Sequence, residues 1–137
     1  MKLSRLSVPF LLFAAALTVG CQQRKPVGNN PALAVYDSMD KDIGEVAIGD
    51  KPITIEFQLT NEGDRSLHIR DVVTTCDCTD AKFSDESLFN GDKTIITVSL
   101  KTKAIAEGPF ERMIGVYTSV RQRPDTLYFH GVAKHRK

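Results

Sequence analysis

The sequence predicts an all-β domain, built as a sandwich of two sheets from about seven short strands. The first observation is strict alternation of apolar and polar residues over 53–60, which places one face of a strand in the core and the other in water. The second is that shorter alternating runs recur along the chain and are separated by turn residues at 61–64 and 90–92. The third is that no segment after residue 20 repeats apolar residues at helical spacing. Such strands at such intervals are typical of an immunoglobulin-like β-sandwich.

The alternating runs and the turns that bound them predict eight strand segments. These are residues 33–37, 43–48, 52–60, 66–72, 80–84, 93–102, 110–119 and 125–133. Gly108-Pro109 and 123–125 are predicted as breaks, because proline cannot donate a hydrogen bond to a strand ladder. A domain of about 100 residues is large enough to fold on its own core without disulfides.

The first 20 residues have the pattern of a targeting segment. Lys2 and Arg5 precede an apolar run over 8–20, which is shorter than the roughly 20 apolar residues of a membrane span. Cys21 follows Gly20 at the end of this run, as in bacterial lipoprotein signals, where the cysteine is acylated and becomes the first residue. We therefore expect a signal peptide at 1–20, a lipidated flexible tether at 21–32 and an Ig-like β-sandwich domain at 33–137.

The charge balance argues against nucleic acid as a partner. The chain has 18 Lys and Arg against 17 Asp and Glu, and removal of Lys2 and Arg5 with the signal leaves 16 against 17. The N-terminal lipid predicts the membrane as one partner. The residues after Cys21 carry no acidic export tag, which favours the periplasmic face of the outer membrane over the cell surface. We further expect an envelope partner, either a protein or a glycan, and the oligomeric state is left open.

Four pieces of the chain, in order, resemble a bacterial lipoprotein family of unknown function. They are Ile43-Gly44-Glu45-Val46 with Gly49-Asp50, residues 57–63, residues 67–79 with Cys76-Asp77-Cys78-Thr79, and Gly91 ahead of 96–98. The resemblance covers about residues 35–133; Asp77 stands where that family usually has Gly, and Asn90 where Pro is common. The family is common in Bacteroidetes and is similar to Hydin-like and major-sperm-protein-like immunoglobulin folds. The resemblance implies an interaction module and no reaction.

Cys76 and Cys78 are the candidates for chemistry. In an extended strand their Cα atoms would lie about 6.5–7 Å apart, at or beyond the upper limit of disulfides, so a bridge requires a bend at Asp77. Three interpretations stay open: a structural disulfide or half-buried pair, a redox-active pair, and a soft-metal site for copper or zinc. The motif contains no Lys or His to lower a thiol pKa, and Asp77 and Asp80 would raise it.

No catalytic set and no cofactor are predicted. A closed zinc site needs four ligands, whereas His68 and His130 alternate with core residues and are expected to face solvent, and His135 belongs to a basic tail. Ser38 and Thr126 lie in tripeptides that resemble the O-glycosylation signal of Bacteroidetes secreted proteins. We therefore expect a non-enzymatic, lipid-anchored envelope module, with a periplasmic thiol or metal protein as the alternative.

Overall fold

The computed structural model describes residues 28–135, so the predicted signal peptide and Cys21 lie outside the described residues. Eight strands follow one another: β1 Ala34–Tyr36, β2 Asp40–Ile48, β3 Ile53–Asn61, β4 Ile69–Thr74, β5 Thr79–Lys82, β6 Lys93–Leu100, β7 Gly108–Thr118 and β8 Asp125–His135. The helical content of the described residues is one 3₁₀ turn at Thr102–Ala104. The predicted all-β, immunoglobulin-like sandwich is confirmed.

The strands form two four-stranded sheets. The first has the order β1-β3-β6-β5 with antiparallel neighbours, and the second has the order β2-β8-β7-β4. In the second sheet β8 pairs antiparallel with β7, and β7 antiparallel with β4, whereas β2 runs parallel to β8 at the edge. We refer to these as the first and second sheets.

The core fills the space between the inward faces of the two sheets. Phe57 and Leu59 of β3 and Leu127 and Phe129 of β8 are fully buried and belong to one hydrophobic core cluster. They occupy alternate positions of their strands, which is the period of two read from the sequence. Burial of one such side chain contributes about 1.5–3 kcal/mol to the stability of the fold. A shift of register by one residue would move these side chains to the solvent face, so their burial fixes the strand register.

Strand β2 contains a bulge between Asp42 and Glu45. Gly44 occupies this bulge with φ 69°, a left-handed conformation that favours glycine. Its carbonyl oxygen lies close to Gly131 of β8, where a Cβ atom would be only 2.5 Å away from it. The two glycines therefore let the bulge of the edge strand β2 approach its neighbour β8 closely.

Several predicted strand boundaries are wrong: the strand predicted over 66–72 begins only at Ile69, because Leu67 forms an isolated bridge with Leu88. Two further differences also have identifiable reasons. β2 begins at Asp40 instead of residue 43, because polar side chains precede its first apolar position. Gly108 and Pro109 start β7 and do not break the chain. The pairing of β4 with β7 ends at Ile114, so Pro109 lies where β7 pairs with β8 alone and a missing N–H is tolerated.

Asn61, the last residue of β3, joins the strand to the loops around it. Its side chain is fully buried. Its Oδ1 accepts hydrogen bonds from the backbone N–H groups of Leu33 (3.2 Å) and Gly63 (3.0 Å). Its Nδ2 donates to the carbonyl oxygens of Arg65 (2.8 Å) and Leu88 (2.9 Å). One side chain thereby satisfies four backbone groups of separate segments.

The end of the segment predicted as a tether lies against this loop region. The backbone N–H of Asn30 donates to Asp64 Oδ2 at 3.1 Å. The carbonyl oxygen of Pro31 approaches Gly63 so closely that a Cβ there would lie 2.1 Å from it. Residues 30–32 are therefore held on the domain next to Asn61.

Candidate functional site

Cys76 and Cys78 lie in the turn that leads from the second sheet to the first. β4 ends at Thr74 and β5 begins at Thr79, and the chain bends between them. The structure joins the two cysteines as a disulfide with their Cα atoms 5.1 Å apart. This distance is well below the 6.5–7 Å of an extended strand because the bend includes Asp77, where the sequence argument required it.

Hydrogen bonds hold the turn in this shape. The backbone N–H and the hydroxyl of Thr79 both donate to the carbonyl oxygen of Cys76, at 3.0 and 3.1 Å. The N–H of Lys101 donates to the carbonyl oxygen of Cys78 at 2.8 Å, which ties the turn to the end of β6. The threonine that follows the second cysteine therefore has a local structural role.

Each sulfur atom accepts an N–H hydrogen bond. The backbone N–H of Cys78 donates to Cys76 Sγ at 3.1 Å, and Nε of Arg112 donates to Cys78 Sγ at 3.4 Å. Cys78 is 3% exposed and Cys76 is half-buried. Sequence reasoning missed Arg112, because it lies 34 residues away on β7 and no local pattern marks it.

The three histidines do not assemble with the cysteines. His130 Nδ1 lies 3.1 Å from Asp40 Oδ1 on the outer side of the second sheet, His68 is half-buried, and His135 is exposed at the end of β8. Among residues 28–135, no three His, Cys, Asp or Glu side chains are grouped so as to hold a metal ion. Within that same part of the chain, no helix is long and apolar enough to cross a bilayer.

The outer face of the second sheet carries a row of exposed apolar side chains. Val73 of β4, Met113 of β7 and Tyr128 of β8 are 46%, 43% and 37% exposed, and we call them the outer apolar row. Met113 and Tyr128 are directly paired across strands, and Val73 and Met113 line the same shallow depression. Met113 therefore neighbours both Val73 and Tyr128, and exposed apolar residues that adjoin one another indicate an interaction surface more than isolated ones do.

An acidic groove of about 610 Å³ adjoins this row. Its carboxylates come from Asp40, Asp42 and Glu45 of β2 and from Glu111 of β7. Its other lining residues are Gly44, Pro109, Phe110, His130, Gly131 and Val132. Asp40 pairs with Tyr128 in the sheet register, so the acidic groove begins where the outer apolar row ends.

The charges of the groove are only partly compensated. Asp40 contacts His130, and Glu45 forms an ion pair with Lys134. Among residues 28–135, neither Asp42 nor Glu111 has a cationic partner, although Asp42 Oδ1 accepts the N–H of Gly44 at 2.8 Å. The groove therefore presents unpaired negative charge to solvent, next to apolar surface.

Two carboxylates outside the groove have structural partners. Asp125 accepts hydrogen bonds from Tyr36 Oη (3.1 Å) and Arg121 (2.9 Å). Burial raises the pKa of the Tyr36 phenol, and the Asp125 charge raises it further, so Tyr36 stays a neutral donor. These contacts fasten β1 of the first sheet to β8 of the second.

Asp37 lies beside this junction and accepts several hydrogen bonds. Partial burial pushes the pKa of Asp37 upward, but the hydrogen bonds from Lys41 Nζ and from the N–H groups of Gln58 and Ser38 hold it below its usual value. The neighbouring Ser38 hydroxyl donates to the carbonyl oxygen of Asp40, and Thr126 is half-buried. Glycosylation of Ser38 or Thr126 stays a prediction.

The fold and its surfaces define the protein as an immunoglobulin-like β-sandwich module. The chain belongs to the family described as protein of unknown function DUF1573, whose model matches residues 35–133. The predicted membership of a family of unknown function with an Ig-like domain is thereby confirmed, and its lipoprotein character stays a prediction. A comparison with curated proteins gave no significant match.

Several solved structures share the fold. A protein of unknown function from Porphyromonas gingivalis W83 is 13% identical with a TM-score of 0.63, over 74% of this chain and 47% of that one. The ASH/PapD-like domain of human CEP192 is 8% identical with a TM-score of 0.62, and the match covers 98% of this chain and 100% of that domain. The periplasmic chaperone SfaE is 8% identical with a TM-score of 0.50, and the match covers 77% of this chain and 59% of that one. This chain thus spans about half the length of the Porphyromonas protein, and identities this low show the fold alone.

Proposed function

We propose that this protein is a non-enzymatic, lipid-anchored module of the cell envelope that binds another envelope protein through the outer face of its second sheet. The observation that carries the proposal is the position of the outer apolar row beside the acidic groove. Together they form one surface with apolar contact area and unpaired negative charge. Contiguous exposed apolar surface on a folded domain commonly marks a protein–protein interaction site.

The chemistry of this surface favours a polypeptide partner with basic and apolar side chains. Tyrosine and methionine are enriched in protein–protein interfaces, and Met113 and Tyr128 supply them here. Asp42 and Glu111 complement lysine and arginine side chains, which gives orientation and faster association more than affinity. A glycan is the other envelope ligand predicted from the sequence, and it is an outcome of the test below.

The outer face of the first sheet offers a matched contrast. Its central strands β3 and β6 place Thr54 opposite Ser99 and Glu56 opposite Thr97. Thr54 and Glu56 are exposed and polar, and Ile95 is the exposed apolar residue of this face. The two outer faces of the sandwich therefore differ in their exposed apolar surface, on which the proposal depends.

Photo-crosslinking from the two faces tests the proposed binding. A photoreactive amino acid at Met113 of the full chain, in intact cells, is expected to crosslink to one or a few discrete proteins. The same amino acid at the exposed Thr54 of the first sheet is the control and is expected to give no such product. Equal products from both positions, or products that contain glycan and no protein, would contradict the proposal.

The envelope location is supported by the N-terminal sequence pattern. Lys2 and Arg5, the apolar run over 8–20 and the cysteine at 21 together favour secretion followed by acylation. Two or more acyl chains hold a protein on a bilayer in practice permanently, at about 0.8 kcal/mol per buried CH₂. A periplasmic chaperone among the solved structures shares the fold, so the fold occurs in that compartment. We propose that the protein lies on the periplasmic face of the outer membrane.

Loss of the acylated cysteine is expected to release the protein from the membrane. We predict that Cys21→Ser moves the chain from the detergent phase to the aqueous phase in detergent partitioning, because its only proposed lipid attachment is gone. Cys76→Ser is the control, since it removes a cysteine without touching the anchor and should stay in the detergent phase. Partitioning of Cys21→Ser into detergent as completely as the parent would show that the anchor lies elsewhere.

A further inference from the structure

We propose that Cys76 and Cys78 form a thiol–disulfide exchange site in which Arg112 stabilises the thiolate of Cys78. The inference does not depend on the proposed binding surface, but its choice of an envelope partner rests on the proposed location. Its basis is that both sulfur atoms accept N–H hydrogen bonds and that one donor is the guanidinium of a residue on another strand. A cation beside a cysteine lowers the pKa of its thiol and favours the thiolate, which is the reactive form.

The two sulfur atoms differ in access. Cys76 is half-buried at the turn, whereas Cys78 is 3% exposed and faces the interior next to β7. Arg112 donates its Nε–H to the less accessible of the two. In this arrangement an incoming thiolate attacks the more accessible sulfur, Cys76 Sγ, and Cys78 is the leaving group. A leaving thiolate with a lower pKa departs faster.

The reaction partner is a pair of thiols on another envelope protein. One thiolate attacks Cys76 Sγ, a disulfide forms between the two proteins, and the Cys76–Cys78 bond breaks. The electron pair of that bond leaves on Cys78 Sγ, which accepts the hydrogen bond from Arg112. The second thiolate then attacks the sulfur of its own protein in the mixed disulfide, so that Cys76 leaves as a thiolate. The partner is oxidised by two electrons to a disulfide, and Cys76 and Cys78 are reduced to two thiols.

The charges around the turn allow this assignment. Asp77 and Asp80 oppose thiolate formation, but Asp80 is paired with Lys101 Nζ at 2.9 Å and its charge is partly compensated. Arg112 Nη1 donates to the carbonyl oxygen of Glu111 at 2.7 Å, which orients the guanidinium so that Nε points to the sulfur. Arg112 is therefore the positioned cation that the Cys-Asp-Cys motif itself lacks.

Titration of Cys78 tests the role of Arg112. The probe is the full chain with Cys21→Ser and Cys76→Ser in aqueous buffer, so that Cys78 is the remaining thiol, and the thiolate is followed by its ultraviolet absorbance. We expect a pKa below the usual value of about 8.5. Arg112→Gln should raise it by about one unit, which lowers the thiolate fraction at neutral pH about tenfold. Arg112→Lys should raise it less, because the positive charge is kept.

Lys82→Gln is the matched control, because it removes an exposed positive charge from β5 without contact to sulfur, and the pKa should not change. A pKa of Cys78 at or above the usual value, or one that Arg112→Gln leaves unchanged, would overturn the assignment. Circular dichroism of each variant verifies that the sandwich is folded before titration.

The order of attack is tested with glutathione as the probe. In the Cys21→Ser background, oxidised glutathione should modify the Cys78→Ser variant, which keeps Cys76, several times faster than the Cys76→Ser variant. With both cysteines present, the rate of reduction by reduced glutathione should fall roughly threefold in Arg112→Gln, as expected for a poorer leaving thiolate. Faster modification of Cys78, or an unchanged reduction rate in Arg112→Gln, would overturn the proposal.

Discussion

Asn61→Ala is expected to lower the free energy of unfolding by about 3–5 kcal/mol. The substitution removes four hydrogen bonds and leaves the backbone N–H groups of Leu33 and Gly63 and the carbonyl oxygens of Arg65 and Leu88 without that partner. The Leu88 carbonyl keeps the N–H of Leu67 as a donor, and the backbone groups of Leu33 and Arg65 belong to exposed residues that water reaches. Each of the four lost hydrogen bonds still costs about 0.5–1.5 kcal/mol, and the buried N–H of Gly63 left unpaired costs about 1–3 kcal/mol. The total free energy of unfolding of a domain of this size is only about 5–15 kcal/mol. Urea unfolding at equilibrium measures the loss.

Asn90→Ala is the matched control for this prediction. Asn90 is exposed, and its Nδ2 makes one hydrogen bond, to the carbonyl oxygen of Gly63 at 3.0 Å. Its removal should cost no more than about 1 kcal/mol. Similar losses in the two asparagine variants would show that the buried network around Asn61 does not hold the loops together.

Asn61→Asp separates the loss of the donor from the loss of the side chain. The new carboxylate keeps an acceptor for Leu33 and Gly63 but cannot donate to Arg65 or Leu88. Burial disfavours its charged form and raises its pKa above the unfolded value, so the variant should gain stability as pH falls toward that pKa. A variant that is equally unstable across the acidic range would contradict this explanation.

Gly131→Ala is expected to lower the free energy of unfolding by about 1–3 kcal/mol and to loosen β2. A Cβ at this position would lie 2.5 Å from the carbonyl oxygen of Gly44 and 3.1 Å from Ile43 Cγ1. The first neighbour is backbone and cannot rotate away, so the bulge of β2 must move off β8. Because Asp42 and Glu45 flank that bulge, the acidic groove should change with it.

Gly115→Ala on β7 is the control. Its added Cβ would meet the Pro124 side chain at 3.3 Å and no backbone atom, and the alanine also reduces the entropy of the unfolded chain. We expect its stability to stay within about 1 kcal/mol of the parent. Hydrogen exchange should show faster exchange of β2 amides in Gly131→Ala than in Gly115→Ala, and equal exchange in both would contradict the close approach of the β2 bulge to β8.

The strands of the sandwich were predictable because burial on one face imposes a period of two. The observed strands Ile53–Asn61 and Lys93–Leu100 agree closely with the segments predicted over 52–60 and 93–102. The predicted start of β2 is three residues too late, since Asp40 and Asp42 give no apolar signal. The parallel pairing of β2 with β8 joins residues about 90 positions apart along the chain. Such pairing depends on where the connections run and leaves no local mark in a single sequence.

The candidate sites were predictable only in part. The cysteine pair was visible as a motif, and the bend it requires at Asp77 follows from strand geometry. Arg112 was not visible, because its approach to Cys78 results from the packing of β7 against the turn. The outer apolar row was equally hidden: Val73, Met113 and Tyr128 lie on three strands, and only the sheet register brings them together.

The most direct test of the binding function is the charge dependence of the crosslink from Met113. Combined Asp42→Asn and Glu111→Gln substitutions remove the two carboxylates that lack cationic partners among the described residues. The double substitution is predicted to lower the crosslink yield about threefold or more, because exposed charge pairs contribute up to about 1 kcal/mol each to binding. Added salt is predicted to lower the yield to a similar extent, because ions screen these charges. Glu56→Gln on the opposite face should leave the yield unchanged. A yield from Met113 that responds to neither the double substitution nor salt, or that falls equally in Glu56→Gln, would contradict the proposal.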